Sequence, residues 1–129
     1  MLVQTLAQDR IMGAMGRLTT HILDTANGIP AAGVDIRLYA VQGERALRAS
    51  AVTNSDGRSE HPLLEGEAME TGEYELEFDI GAYFKTQGVE FEEPAFLDTV
   101  VIRFSIHADQ RYHVPLLASP WSYSTYRGS

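Results

Sequence analysis

The amino-acid sequence predicts an all-β fold, a two-layer β-sandwich, on three observations. Five runs of residues alternate between apolar and polar with period two, the pattern of a half-buried strand. Turn-forming residues separate these runs at short intervals. Only Gly81–Gly88 breaks the pattern, placing Tyr83, Phe84 and Gln87 at helical spacing, which predicts one short helix. Many short strands with turns at this spacing read as a sandwich.

The elements follow in order. Leu18, Thr20 and Ile22 alternate with Thr19, His21 and Leu23 in the first run, and Asn27-Gly28-Ile29-Pro30 ends it. Val34, Ile36, Leu38 and Ala40 share a face of the second, and Gln42-Gly43 marks the next turn. Leu47, Ala49, Ala51 and Thr53 form the face of the third, before Asn54-Ser55-Asp56-Gly57. After Thr71-Gly72, the residues Tyr74, Leu76, Phe78 and Ile80 alternate with acidic ones. Val100, Ile102, Phe104 and Ile106 make the fifth face, and Tyr112–Leu117 is strand-like again.

Composition narrows the function classes. The 129 residues suit one domain with a real core. Cysteine is absent, which excludes disulfides, thiolate metal sites and a cysteine nucleophile. The net charge of −8 argues against nucleic acid and anionic membranes as partners. No apolar run approaches the roughly 20 residues of a membrane span. Between Glu60 and Asp98 Lys85 is the only Lys or Arg, so a solvated acidic surface is expected there. A calcium site would need an EF-hand type loop, which is missing. Residues 1–15 lack the pattern of a signal peptide and read as a loosely ordered extension before a domain spanning 16–129, in a cytoplasmic protein.

Four histidines could carry acid–base chemistry: His21, His61, His107 and His113. None is spaced as in a helical zinc motif, and no metal is implied. His21 alternates with Thr20 and Ile22, so it faces away from the sandwich interior, toward a partner or a cleft. His113 lies in the last strand-like run, while His61 and His107 read as structural. Arg58 directly follows the Asp56-Gly57 turn. It is either a surface arginine or a planar cation fixed to bind a carbonyl or an anion. Two tyrosines and an arginine crowd the last seven residues, Tyr123–Ser129. That segment is a frayed tail, or it is folded into a site.

Four blocks, taken together, carry a family resemblance: Leu18–Asp24 with Gly28–Ala32, Thr53–Arg58, Tyr112–Leu117 with Ser119-Pro120, and the terminal Tyr126-Arg127-Gly128-Ser129. In this order they make residues 16–129 similar to the transthyretin-like proteins, specifically the 5-hydroxyisourate hydrolases. The thyroid-hormone carriers of that fold lack the terminal tetrapeptide and the catalytic histidines. The resemblance implies an eight-stranded sandwich with one short helix. It implies a homotetramer, a dimer of dimers whose active sites lie where dimers face each other. The implied reaction opens 5-hydroxyisourate hydrolytically to 2-oxo-4-hydroxy-4-carboxy-5-ureidoimidazoline without a cofactor. Carried over by position, His21, Arg58 and His113 are the catalytic set, and Tyr126, Arg127, Gly128 and Ser129 bind the substrate. A neutral histidine, His21 or His113, would take the proton from water, with Arg58 holding it neutral and stabilising the oxyanion. Many members have histidine where Arg111 stands here. The competing readings are a non-catalytic transthyretin-type binding module and an immunoglobulin-like adhesion domain. The latter would have a cysteine pair around a core tryptophan, and Trp121 lies near the terminus instead.

Overall fold

The computed structural model describes residues 16–128; residues 1–15, expected as an extension, and Ser129 lie outside the described residues. In chain order the elements are β1 (Arg17–Asp24), β2 (Ile29–Pro30), β3 (Asp35–Ala40), β4 (Ala46–Val52) and β5 (Leu64–Glu65). A 3₁₀ turn (Gly66–Ala68) follows, then β6 (Gly72–Asp79), α1 (Ile80–Thr86), β7 (Thr99–Ile106), β8 (Arg111–Ala118) and β9 (Tyr123–Thr125). One sheet runs β2-β1-β8-β9, with β5 also on β1; the other runs β4-β3-β6-β7. Nine strands among the described residues stand where eight were expected, two of them (β2 and β5) only two residues long. The two-sheet sandwich, with one α-helix among the described residues, is as expected.

Period two decides what is buried. Leu18 and Ile22 of β1, Ile36 and Leu38 of β3, Leu76 and Phe78 of β6 and Leu116 of β8 are almost fully enclosed between the sheets. The third run departs from its expected face. Leu38 pairs with Ala49 but Tyr39 pairs with Leu47, so a bulge at Arg48 shifts the register. Leu47 is thereby turned outward, 56% exposed. One extra residue reverses the facing of everything beyond it.

The helix begins at Ile80 and ends at Thr86, one residue earlier and two residues short of Gly81–Gly88. Ile80, Gly81, Tyr83 and Phe84 are its buried residues, and Gln87 is exposed. Its anchor is a buried carboxylate. Asp24, at the end of β1, accepts hydrogen bonds from Tyr83 Oη at 2.7 Å, Asn27 Nδ2 at 2.7 Å and the Asn27 backbone N–H at 2.9 Å. Burial alone would raise its pKa, but the hydrogen bonds from Asn27 and Tyr83 outweigh it and hold the carboxyl below its ordinary value.

Most acidic residues between Glu60 and Asp98 are exposed, as expected, while Glu75, Glu77 and Asp79 are half-buried. Glu73, Glu75, Glu77 and Asp79 point off the outer face of β6. There Arg37 takes Glu77 and Asp79, Arg45 takes Glu75 and Glu77, and Arg103 takes Glu73. Strand alternation lines up the carboxylates, and neighbouring arginines bridge them.

Tyr83→Phe leaves Asp24 one donor short, and charged hydrogen bonds are worth about 1.5–3 kcal/mol. The variant should lose stability of that order at pH 7 in urea unfolding. Asp24 has a depressed pKa, so its contribution is present above the unfolded-state value and lost as pH falls through the folded one. The difference between variant and parent should therefore shrink below about pH 4.

Candidate active site

β1 and β8 are parallel neighbours, with Arg17 opposite Arg111, Thr19 opposite His113 and His21 opposite Pro115. Alternation turns Arg17, Thr19 and His21 to the outer face of β1, away from the buried Leu18, Thr20 and Ile22. The same rule turns Arg111 and His113 outward from Tyr112 and Val114. Thr19 Oγ1 therefore meets His113 Nδ1 across the strand pair, at 2.8 Å.

Arg58 arrives from a turn built for it. Asn54 Oδ1 accepts from the backbone N–H of Asp56 at 2.9 Å and of Arg58 at 3.2 Å, and the Asn54 N–H donates to the Arg58 carbonyl at 2.8 Å. Gly57 takes a φ of 77°, and a Cβ there would lie 2.4 Å from the Ile22 carbonyl oxygen. Because Gly57 packs this closely, its carbonyl accepts from Ile22 N–H at 2.8 Å and Arg58 forms a bridge with His21. His21 Nε2 lies 2.8 Å from the Asp56 carbonyl oxygen. A carbonyl only accepts, so this nitrogen carries the proton.

The tail continues β9 along β8. Leu116 pairs with Thr125 and Ala118 with Tyr123, and in the same register His113 bridges Gly128. The Gly128 N–H donates to the His113 carbonyl at 2.7 Å. A Cβ on Gly128 would stand 2.7 Å from His113 Cδ2, so the absent side chain makes room for the imidazole. Arg127 lies over the Tyr112 ring, 4.2 Å from its centre, and donates to Gln110 Oε1 at 3.0 Å. Tyr126 and Arg127 border a separate groove of about 230 Å³ with Ile102, Phe104 and Val114.

Arg17, Thr19, Arg58, Arg111, Tyr112 and His113 line a cleft of about 360 Å³. His21 is not on its wall; it stands beside Arg58, half-buried. His113 is also half-buried. Burial first, then the positive charges of Arg58 and His21, push its pKa below the ordinary imidazole value, with a hydrogen bond to Thr19 acting the other way. The outcome is a neutral imidazole beside a guanidinium. Such a pair can take a proton and hold developing negative charge. No group of three or more His, Asp or Glu that could hold a metal ion occurs among the described residues.

The structure thus gathers His21, Arg58, His113 and Gly128. It sets the Tyr126 and Arg127 side chains to one side, and Ser129 is not among the described residues. His107 and His61, read as structural, stay away from the cleft; His107 bonds Tyr112 Oη. Sequence reasoning missed Thr19, Asn54 and Arg17. Period two already puts Thr19 and Arg17 on the face of His21, and that signal was available. The contact with His113 was not, because nothing local announces that β1 lies against β8.

A model of the HIUase/Transthyretin family matches residues 18–128. The 5-hydroxyisourate hydrolase of Pseudomonas aeruginosa is 56% identical over 117 residues, covering 89% of this chain and 93% of that protein. Among solved structures, the Klebsiella pneumoniae 5-hydroxyisourate hydrolase matches with a TM-score of 0.75 at 35% identity, covering 89% of this chain and 100% of that one. Sea bream transthyretin in complex with thyroxine matches with a TM-score of 0.78 at 29% identity, covering 87% and 94%.

Gly128→Ala should displace the His113 ring while the sandwich persists. Histidine-selective NMR should show the His113 signals shifted and those of His61 and His107 unmoved, with an overpacking cost of about 1–3 kcal/mol in unfolding.

Proposed function

The chain belongs to the HIUase/Transthyretin family, and from that premise we propose that it is a hydrolase that opens 5-hydroxyisourate to 2-oxo-4-hydroxy-4-carboxy-5-ureidoimidazoline. The observation that carries this reading is the meeting of His113, Thr19 and Arg58 in one cleft, with His21 bridged to Arg58.

Water adds across a ring C–N bond. The carbon keeps the water oxygen and becomes a carboxylate, the nitrogen gains one proton, and a second proton leaves to solvent. With His113 Nδ1–H donating to Thr19 Oγ1, Nε2 is the unprotonated nitrogen that takes a proton from water. Burial and the charge of Arg58 keep that nitrogen free at neutral pH. Arg58 is exposed and has no carboxylate partner among the described residues, so its guanidinium is available to the oxyanion formed at the attacked carbonyl. His113 then passes its proton to the departing nitrogen. His21 keeps its own proton on the Asp56 carbonyl and so does not compete for the proton of water.

The same reading assembles the chain as a homotetramer with its clefts between dimers, where Tyr126, Arg127, Gly128 and Ser129 close on the substrate. One sheet ends on β2 and β9 and the other on β4 and β7, strands whose unpaired edges are open to a second copy. A transthyretin-type carrier, such as the sea bream protein that holds thyroxine, has no use for a neutral histidine paired with a free guanidinium.

The test is the absorbance decay of freshly made 5-hydroxyisourate, which also decays unaided. Wild type should accelerate it. General-base catalysis is worth about 10²–10⁴-fold and an oxyanion donor about 10²–10³-fold. His113→Ala and Arg58→Ala should each cost two decades or more in kcat. Decay no faster than the blank would favour the carrier, and an Arg58→Ala enzyme near full activity would remove Arg58 from the mechanism.

A further inference from the structure

The chain carries 18 acidic residues and 10 basic ones, and the described lysine and arginines divide between those that sit on carboxylates and those that do not. Arg37, Arg45, Arg103 and Lys85 all sit on carboxylates. The cleft does the opposite. Arg17, Arg58 and Arg111 line it together, no carboxylate lines it with them, and none of the three makes an ion pair among the described residues. Arg17 and Arg111 are directly opposed across β1 and β8. Like charges facing each other on adjacent strands destabilise a sheet. On its other side Arg17 stands opposite Glu65 of β5, but the two make no ion pair, so the opposed guanidiniums are left without a carboxylate partner among the described residues. The pair lies two residues from Thr19 and His113 on the same face, about 7 Å along the strands. Both side chains are exposed and line the same cleft as Thr19 and His113.

We propose that Arg17 and Arg111 form a carboxylate subsite, which recognises the carboxylate that ring opening creates and so favours an anionic ring over a neutral one. Two planar guanidinium forks offer parallel N–H donors to one carboxylate, and a bound anion relieves the repulsion between them. Arg58, next to His113, holds the oxyanion until the ring C–N bond breaks; the carboxylate that the same carbon becomes then passes to Arg17 and Arg111. The proposal rests on the hydrolase reading for the identity of the carboxylate, while the subsite itself is a matter of this cleft alone.

Orotate and uracil probe it, being one flat ring with and without a carboxylate. Calorimetric titration of wild type at low salt should show orotate bound at least tenfold more tightly than uracil, in line with a charged hydrogen-bonded pair. Added salt should weaken orotate and leave uracil unchanged. Arg17→Gln and Arg111→Gln should each erase most of that preference, and Arg111→Lys, which keeps the charge and loses the fork, should retain part of it. Arg111→Gln without ligand should melt at a higher temperature than wild type, since an opposed charge is gone. If that variant does not fold, the Arg17→Gln and Arg111→Lys titrations decide alone. Equal binding of the two rings, no binding of orotate, or a preference that survives both Arg→Gln changes would overturn the subsite. The substrate-decay assay keeps the two claims apart. A wild type that hydrolyses 5-hydroxyisourate but binds both rings alike loses only the subsite. One that fails to hydrolyse yet prefers orotate through Arg17 and Arg111 loses only the hydrolase reading.

Discussion

β1 and β8 run parallel from Arg17 against Arg111 to Asp24 against Ala118, and this one pairing sets the rest of the site. It puts Thr19 against His113, 94 residues apart in the chain. It leaves β8 an outer edge for β9 and the tail, and that edge brings Gly128 onto the His113 backbone. It also gives β1 the free backbone groups that receive the Gly57–Arg58 turn. A parallel pair cannot be closed by a hairpin. Here the entire second sheet and the helix lie between the two strands in sequence. The face that carries Thr19, His113 and Arg58 therefore exists only once the sandwich is complete, which ties the cleft to global folding.

Much of this was legible in the sequence because it is local. Period two showed which way His21 points, and Asn54-Ser55-Asp56-Gly57 announced a rigid turn before Arg58. Tyr83 and Phe84 marked the helix, although its ends fell a residue or two off, where Ile80 serves both strand and helix face. What escaped is non-local. Leu47 reads as a core residue until the bulge at Arg48 reverses its facing, and a bulge is a property of two strands. Thr19 reads as a filler between two more conspicuous residues until its partner strand is known. The tail left two possibilities open, and the His113–Gly128 bridge shows an ordered continuation of β9 through Gly128. The family resemblance rested on residue order, and it pointed to the histidines and arginine that the fold brings together.

Charge is divided between two faces with opposite logic. On the outer face of β6 arginines lie among carboxylates, as Arg37 does between Glu77 and Asp79, and each charge is answered within the chain. In the cleft the guanidiniums are left unanswered. The first arrangement steadies a sheet, and the second holds a positive field over a site that handles developing negative charge. That field also acts on His113. Burial and the charge of Arg58 together hold its imidazole neutral, so in the proposed reaction one arginine would both free the base and stabilise the charge that the base helps create.

The most direct measurement is an NMR pH titration of the His113 ring in wild type and in Arg58→Gln. A wild-type pKa below the ordinary imidazole value of about 6.5, rising toward it when the guanidinium is removed, is the expected result. A wild-type value at or above it, or one indifferent to Arg58, would contradict the pairing of base and cation on which the chemistry depends.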